Sequence, residues 1–133
     1  MMYFLDTNIC IYLLKGQFPK IKETLSKKVP ENIKIPSIVK AELLYGAKKS
    51  HYPEKTILTA QVFLAPFEII PFCEKASDYY AENRFELEKK GIPVGPNDLI
   101  IAATTLTHNG ILVTNNVREF KRIKSLKIEN WTT

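Results

Sequence analysis

Short apolar runs of strand length alternate with longer helical stretches along this chain, which predicts an α/β domain with a largely parallel sheet. Two further observations support that class. The first and fourth strand-like runs each give way to polar residues, Asp6 and the Thr114-Asn115-Asn116 triplet. In a parallel sheet such residues gather outside the carboxyl ends of the strands, where ligands bind. No internal repeat, low-complexity tract or linker divides the 133 residues, a length that suits one domain spanning 1–133.

The elements follow in order. Met2–Leu5 reads as the first strand, and Thr7–Lys15 as a helix stopped near Gly16. Pro19 suits the first turn of a second helix reaching Lys28. Ile33–Ile35 is a short strand, and Ser37 can cap the helix that follows, to Lys49. Pro53 opens a helix to Leu64, and Phe67–Pro71 is a third strand. Glu74–Lys90 is a long amphipathic helix ended by Gly91. Asn97 can cap a helix from Asp98 to His108. Asn109-Gly110 marks a turn before the fourth strand, Ile111–Val113, and Leu126–Ile128 is a candidate fifth.

Composition narrows the function classes. No run of about 18 apolar residues occurs, so no membrane span is expected. The start, MMYFLDTN, lacks a basic segment leading into an apolar core and a small-residue cleavage site, which predicts a cytoplasmic protein without a signal peptide. Cys10 and Cys73 lack metal-ligand spacing and read as two buried free thiols. There is neither a Walker loop nor a GxGxxG turn, so nucleotide-cofactor binding has no support. His51 and His108 fall in no nucleophile or zinc motif. The net charge of +5 is compatible with an anionic partner such as nucleic acid. The lysines read as solvated helix ends, some of them available to hold a phosphate backbone.

Against that basic background, three acids stand in apolar settings. Asp6 follows the first strand in YFLDTNICIYLL, Glu42 lies in IVKAELLYGA, and Asp98 lies in VGPNDLIIAAT. Helical neighbours three and four residues apart share a face. Glu42 is thereby grouped with Ile38, Val39 and Tyr45 rather than with Lys48 and Lys49, and Asp98 with Ile101 and Ala102. Each acid alone has an ordinary reading: Asp6 and Asp98 as helix caps, Glu42 as an exposed residue near a helix's positive end. As a set at one sheet edge they are costly, because a buried unpaired carboxylate loses several kcal/mol or shifts its pKa. A hard divalent cation would neutralise them, which points to phosphate chemistry. A fourth group is divided between Glu119 and the Asn115–Asn116 pair. Thr7 and Asn8 could hydrogen-bond to the carboxylates or serve the helix start.

These segments resemble the PIN-domain ribonucleases and, within them, the VapC toxins of prokaryotic toxin–antitoxin pairs. The resemblance runs over essentially the whole chain, through FLDTNICIYLL, AELLYGAKKS, GIPVGPNDLIIAA, LVTNNVREFKRI and LKIENW. It implies a Rossmann-like three-layer sandwich with a central parallel sheet of about five strands. It also implies Mg²⁺- or Mn²⁺-dependent cleavage of RNA, with Asp6, Glu42 and Asp98 at the family's acidic positions. Many PIN domains carry a further aspartate after the fourth strand; here that region holds Asn115 and Asn116, and Glu119 is the nearest acid. The members sharing the PVGP and TNNxREF features imply initiator tRNA, cut in its anticodon stem-loop, as substrate. A small VapB-type antitoxin, a homodimer, and operator DNA contacted through the antitoxin are implied as partners. The helices of Thr7–Lys28 and Ser37–Leu64 are the candidate groove for the antitoxin. A structure-specific DNA nuclease and a non-catalytic nucleic-acid-binding module are the alternatives on this fold. A haloacid-dehalogenase-type phosphohydrolase would need an aspartate where Asn8 stands.

Overall fold

Five parallel strands pair in the order β3-β2-β1-β4-β5 in the computed structural model, which describes residues 1–133. They are β1 (Tyr3–Leu5), β2 (Ile33–Pro36), β3 (Glu68–Ile70), β4 (Ile111–Val113) and β5 (Lys127–Glu129). Tyr3 stands opposite both Ile33 and Ile111, so β1 is the sheet's central strand. Successive strand residues face opposite sides of a sheet. Phe4 and Leu5, and likewise Leu112 and Val113, are all wholly buried, so helices must cover both faces. The expected three-layer α/β sandwich follows from that burial.

The helices are α1 (Thr7–Lys15), α2 (Pro19–Ser26), α3 (Ser37–Lys48), α4 (Pro53–Leu64), α5 (Glu74–Lys89), α6 (Pro96–Thr107) and α7 (Val117–Phe120). Gly16 ends α1 at φ 67°, and its N–H reaches back to Leu13. Gly91, at φ 72°, ends the turn after α5. Both stops depend on a left-handed conformation that a β-carbon disfavours.

Several expected boundaries move. Ser37 does not cap α3: Pro36 holds that position, and no side chain bonds the first turn. Asn97 does not cap α6, because Pro96, pre-set in φ, already starts the helix after Gly95. The strands shift by a residue, β1 starting at Tyr3 and β5 ending at Glu129. The short α7 after β4 was not expected; four residues give too little periodicity to read. Cys10 is buried as expected, but Cys73 is only partly so, and both are free.

The turn before β4 is tightly built. Asn109 takes a left-handed φ of 51°, and Gly110 follows it against the first strand. A β-carbon on Gly110 would sit 2.5 Å from the buried Phe4 ring, closer than real contacts allow.

Candidate active site

Because all strands run the same way, their carboxyl ends lie on one edge. The chain leaves β1 toward β2 on one side, and β4 and β5 fill the other. The gap between β1 and β4 is therefore a topological switch point. Asp6 leaves β1 there, its N–H bonded to the Val113 carbonyl at 3.2 Å, and Thr114 leaves β4 beside it.

Asp6 is only 4% exposed. Its Oδ1 accepts the Ile9 N–H at 2.9 Å, so it does cap α1. Burial pushes its carboxyl up to about 6; the Thr114 hydroxyl and the Ile9 N–H pull it down, and the charge of Glu42 pushes it up again. The cap and the chemical reading thus coexist in one side chain.

Glu42 comes from the second turn of α3, which starts directly after β2. The Thr7 hydroxyl donates to its Oε1 at 2.7 Å, and Asn97 Nδ2 donates to Oε2 at 3.4 Å. Thr7 is thus hydrogen-bonded to one of the carboxylates, one of the two readings the sequence leaves open for it. Asn8 is exposed and outside these hydrogen bonds.

Asp98 lies half-buried in the first turn of α6. Its carboxyl is also pushed up to about 6, first by burial, then by the charges of Glu119, Asp6 and Glu42. No hydrogen bond is among the influences on it.

Glu119, on α7, has the strongest charge effect on Asp98 among these acids. Its Oε1 accepts the Gly95 N–H at 3.2 Å and its Oε2 the Asn116 Nδ2 at 2.8 Å. The carboxylate thus seats on the start of α6, which lacks any other side-chain cap. Asn116 belongs to this cluster as a donor. Asn115 does not: its Oδ1 accepts from Asn130 and Thr132, each at 3.2 Å, and ties down the C-terminal segment.

From sequence Thr114 stands only as the first of the polar residues that end the fourth strand, with no role of its own. It is fully buried, its hydroxyl favours the ionised form of Asp6, and its Oγ1 accepts the Asn116 N–H at 2.9 Å. A threonine after an apolar strand carries no signal of its own; the contact exists only because β4 lies beside β1.

The charges of Glu119, Asp6 and Glu42 all reach Asp98, but the acids do not close into a ready-made chelate: no three acidic, histidine or cysteine side chains converge that tightly. The cluster's donors are all oxygens, and two of its carboxyls, nearly sealed Asp6 and half-buried Asp98, are raised to about 6. That donor set fits a hard divalent cation and lacks the nitrogen or sulfur that zinc sites favour.

A groove of about 530 Å³ opens at Glu42 and runs between α1, α3 and α4. Its floor is apolar, with Ile11, Leu14, Leu43 and Ala47, and Lys15 and Lys55 stand along its walls.

Comparison with known proteins bears on this geometry. The PIN-domain family profile matches residues 3–126. Ribonuclease VapC2 of Rickettsia felis is 46% identical over 98% of each chain. The tRNA(fMet)-specific endonuclease VapC of Salmonella typhimurium is 37% identical over 97% of each. Among solved structures, VapBC2 from Rickettsia felis bound to a promoter DNA fragment superposes with a TM-score of 0.92 at 45% identity, covering 98% of this chain and 99% of that one. DNA-bound VapBC from Salmonella typhimurium gives 0.93 at 37% identity, with 98% of both chains covered. Over nearly its whole length, then, this chain belongs to the PIN-domain family and, within it, to the VapC ribonucleases.

Proposed function

We propose that the chain is a Mg²⁺-dependent endoribonuclease, with Mn²⁺ as a substitute, acting on initiator tRNA in the anticodon stem-loop. The observation that carries this reading is the gathering of Asp6, Glu42 and Glu119 around Asp98 at the switch point between β1 and β4, where their charges and burial raise the Asp98 carboxyl. PIN-domain ribonucleases are metal-dependent as a class. Asp6, Glu42 and Asp98 would hold the cation. When bound, it supplies Lewis acidity to water and neutralises charge developing on the scissile phosphate.

The chain's own residues do the positioning. Thr7 fixes Glu42 Oε1, which leaves Oε2, touched only by Asn97 at 3.4 Å, to face the ligand. Ile9 N–H and Thr114 orient the Asp6 carboxylate. Glu119 seats the first turn of α6 through Gly95, and so the Asp98 carboxylate with it. In-line attack by water leaves 5′-phosphate and 3′-hydroxyl ends.

The same reading includes partners. The Rickettsia felis and Salmonella typhimurium structures are VapBC pairs on DNA. By analogy this chain pairs with a small VapB-type antitoxin, whose apolar segment fits the groove between α1, α3 and α4. It forms a homodimer and meets operator DNA only through that antitoxin. No helix is long and apolar enough to cross a membrane. Cytoplasmic action, by residues 1–133 as one domain, completes the reading.

The test is to incubate purified chain with total RNA and Mg²⁺ and map the new 5′ ends, beside Asp98→Asn and an EDTA control. New phosphorylated 5′ ends in the initiator tRNA anticodon loop, absent from both controls, are expected. A 2′,3′-cyclic phosphate product, or cleavage that survives EDTA, would overturn the mechanism.

A further inference from the structure

Glu42 is not alone on its side of α3. Tyr45 and Lys49 follow it at three and seven residues, the spacing of one helical stripe. At 1.5 Å per residue they lie about 4.5 and 10 Å farther along the axis. The sequence set Lys49 apart from Glu42's face; the structure instead folds its Nζ back over the Tyr45 ring, 4.6 Å from the centroid.

Tyr45 is 65% exposed, although Val39 and Leu43 of the same helix are buried in the core. Lys49 is in none of the chain's three ion pairs, Lys27–Glu23, Lys34–Glu68 and Arg84–Glu88, so its charge is free to meet an anion. The stripe is also distinct from the apolar groove. Gly46, Ala47 and Ser50 line that groove, whereas Tyr45 and Lys49 do not. Two surfaces therefore diverge from Glu42: an apolar trough, and an outward ridge carrying one aromatic face and one unpaired cation.

We infer that Tyr45 and Lys49 form a nucleotide platform beside the acidic cluster, stacking a base of the substrate RNA and holding its phosphate. The inference rests on the ribonuclease reading above. Charge decides the occupant. An aromatic face with an adjacent cation is how single-stranded nucleic acid is gripped without base-specific hydrogen bonds. The ridge is continuous with Glu42, so a strand lying on it leads to the carboxylates. A protein segment would find one exposed ring there, whereas the neighbouring trough offers it Ile11, Leu14, Leu43 and Ala47.

The test reads binding apart from cleavage. Tyr45→Ala, Tyr45→Phe and Lys49→Gln are each made in the Asp98→Asn background, and binding of a fluorescein-labelled anticodon stem-loop RNA is titrated in Mg²⁺ over a range of salt. Tyr45→Ala is expected to weaken binding about ten-fold and Tyr45→Phe to restore it, since a phenyl ring stacks equally well. Lys49→Gln should lower the slope of log affinity against log salt by about one ion. In the otherwise wild-type enzyme, Tyr45→Ala should raise KM more than it lowers kcat. Thermal melts check that each variant folds; should Tyr45→Ala melt early, the Lys49 salt slope still decides. Unchanged affinity and salt slope in folded variants would overturn the platform. So would dissociation of a homodimer on gel filtration with RNA affinity intact, which would assign the ridge to a second copy. If the wild-type chain cleaves no RNA at all, the ribonuclease reading itself has failed, whereas cleavage with indifferent variants removes the platform alone.

Discussion

Asp6 and Asp98 have carboxyls pushed to the same value, about 6, by different surroundings. Asp6 is nearly sealed, capped onto α1 and faced by Thr114. Asp98 is half-buried, takes no hydrogen bond, and is raised by three other carboxylates as well as by burial. The first is part of the scaffold and part of the cluster at once. The second contributes to the cluster only, although both, raised above an ordinary aspartate, oppose folding when ionised without a cation. A perturbed carboxyl is thus informative about function in proportion to how little else it does.

The comparison makes separable predictions. Largest is the effect on activity: Asp6→Asn and Asp98→Asn should each lower RNA cleavage about a hundred-fold or more, measured as initial rates in Mg²⁺. Here the two positions behave alike.

Next is the pH dependence of stability in EDTA. Both carboxyls titrate near 6 when folded, against 3.8 for an ordinary aspartate. Between those values the folded chain keeps protons that the unfolded chain has released. Stability should therefore fall as pH rises from about 4 to about 6, and level off above. The loss is on the order of 2 kcal/mol from Asp6, with a smaller share from half-exposed Asp98, where solvent screens the charge. Urea midpoints across pH 4 to 7.5 measure it, and a double Asp6→Asn, Asp98→Asn variant should flatten the curve.

Smaller still, and most specific, is the contrast between alanine and asparagine. At position 6 asparagine keeps an acceptor for the Ile9 N–H, so alanine should be about 1 kcal/mol less stable than asparagine. At position 98 no cap is lost, and the two variants should agree within about 0.5 kcal/mol in the same melts. Equal gaps at both positions would dissolve the distinction between scaffold and cluster. Least is Thr7→Val, which frees Glu42 Oε1 and should lower kcat/KM several-fold with little change in melting temperature.

Most of this architecture could be read from the chain before its structure. Apolar runs, proline starts and glycine stops located the helices and strands to within a few residues, because those signals are local. Asp6, Glu42 and Asp98 stood out because a charge in an apolar pattern breaks a local rule. What escaped was set by neighbours distant in sequence. Thr114 matters because β4 lies against β1, and Glu119 rather than Asn115 approaches Asp98 because α7 folds back over the start of α6. Asn97 had the composition of a cap, but Pro96 had already started the helix and left Asn97 to donate to Glu42. The contact of Lys49 with the Tyr45 ring also escaped, because it depends on how a long side chain lies.

The crowding at Gly110 has a genetic counterpart. If expression of this chain arrests growth, a selection for survivors will collect loss-of-function alleles. Alanine at Gly110 would drive a β-carbon into the Phe4 ring, at a cost of about 1–3 kcal/mol. Such alleles should appear among the survivors although the residue lies at the opposite end of β4 from the acids. Temperature would sort the two classes: alleles at Asp98 should be silent at every growth temperature, with full-length protein accumulating, whereas Gly110 alleles should regain toxicity in the cold. A conditional allele of that kind would let cells carry the gene silently and release its activity by a temperature shift.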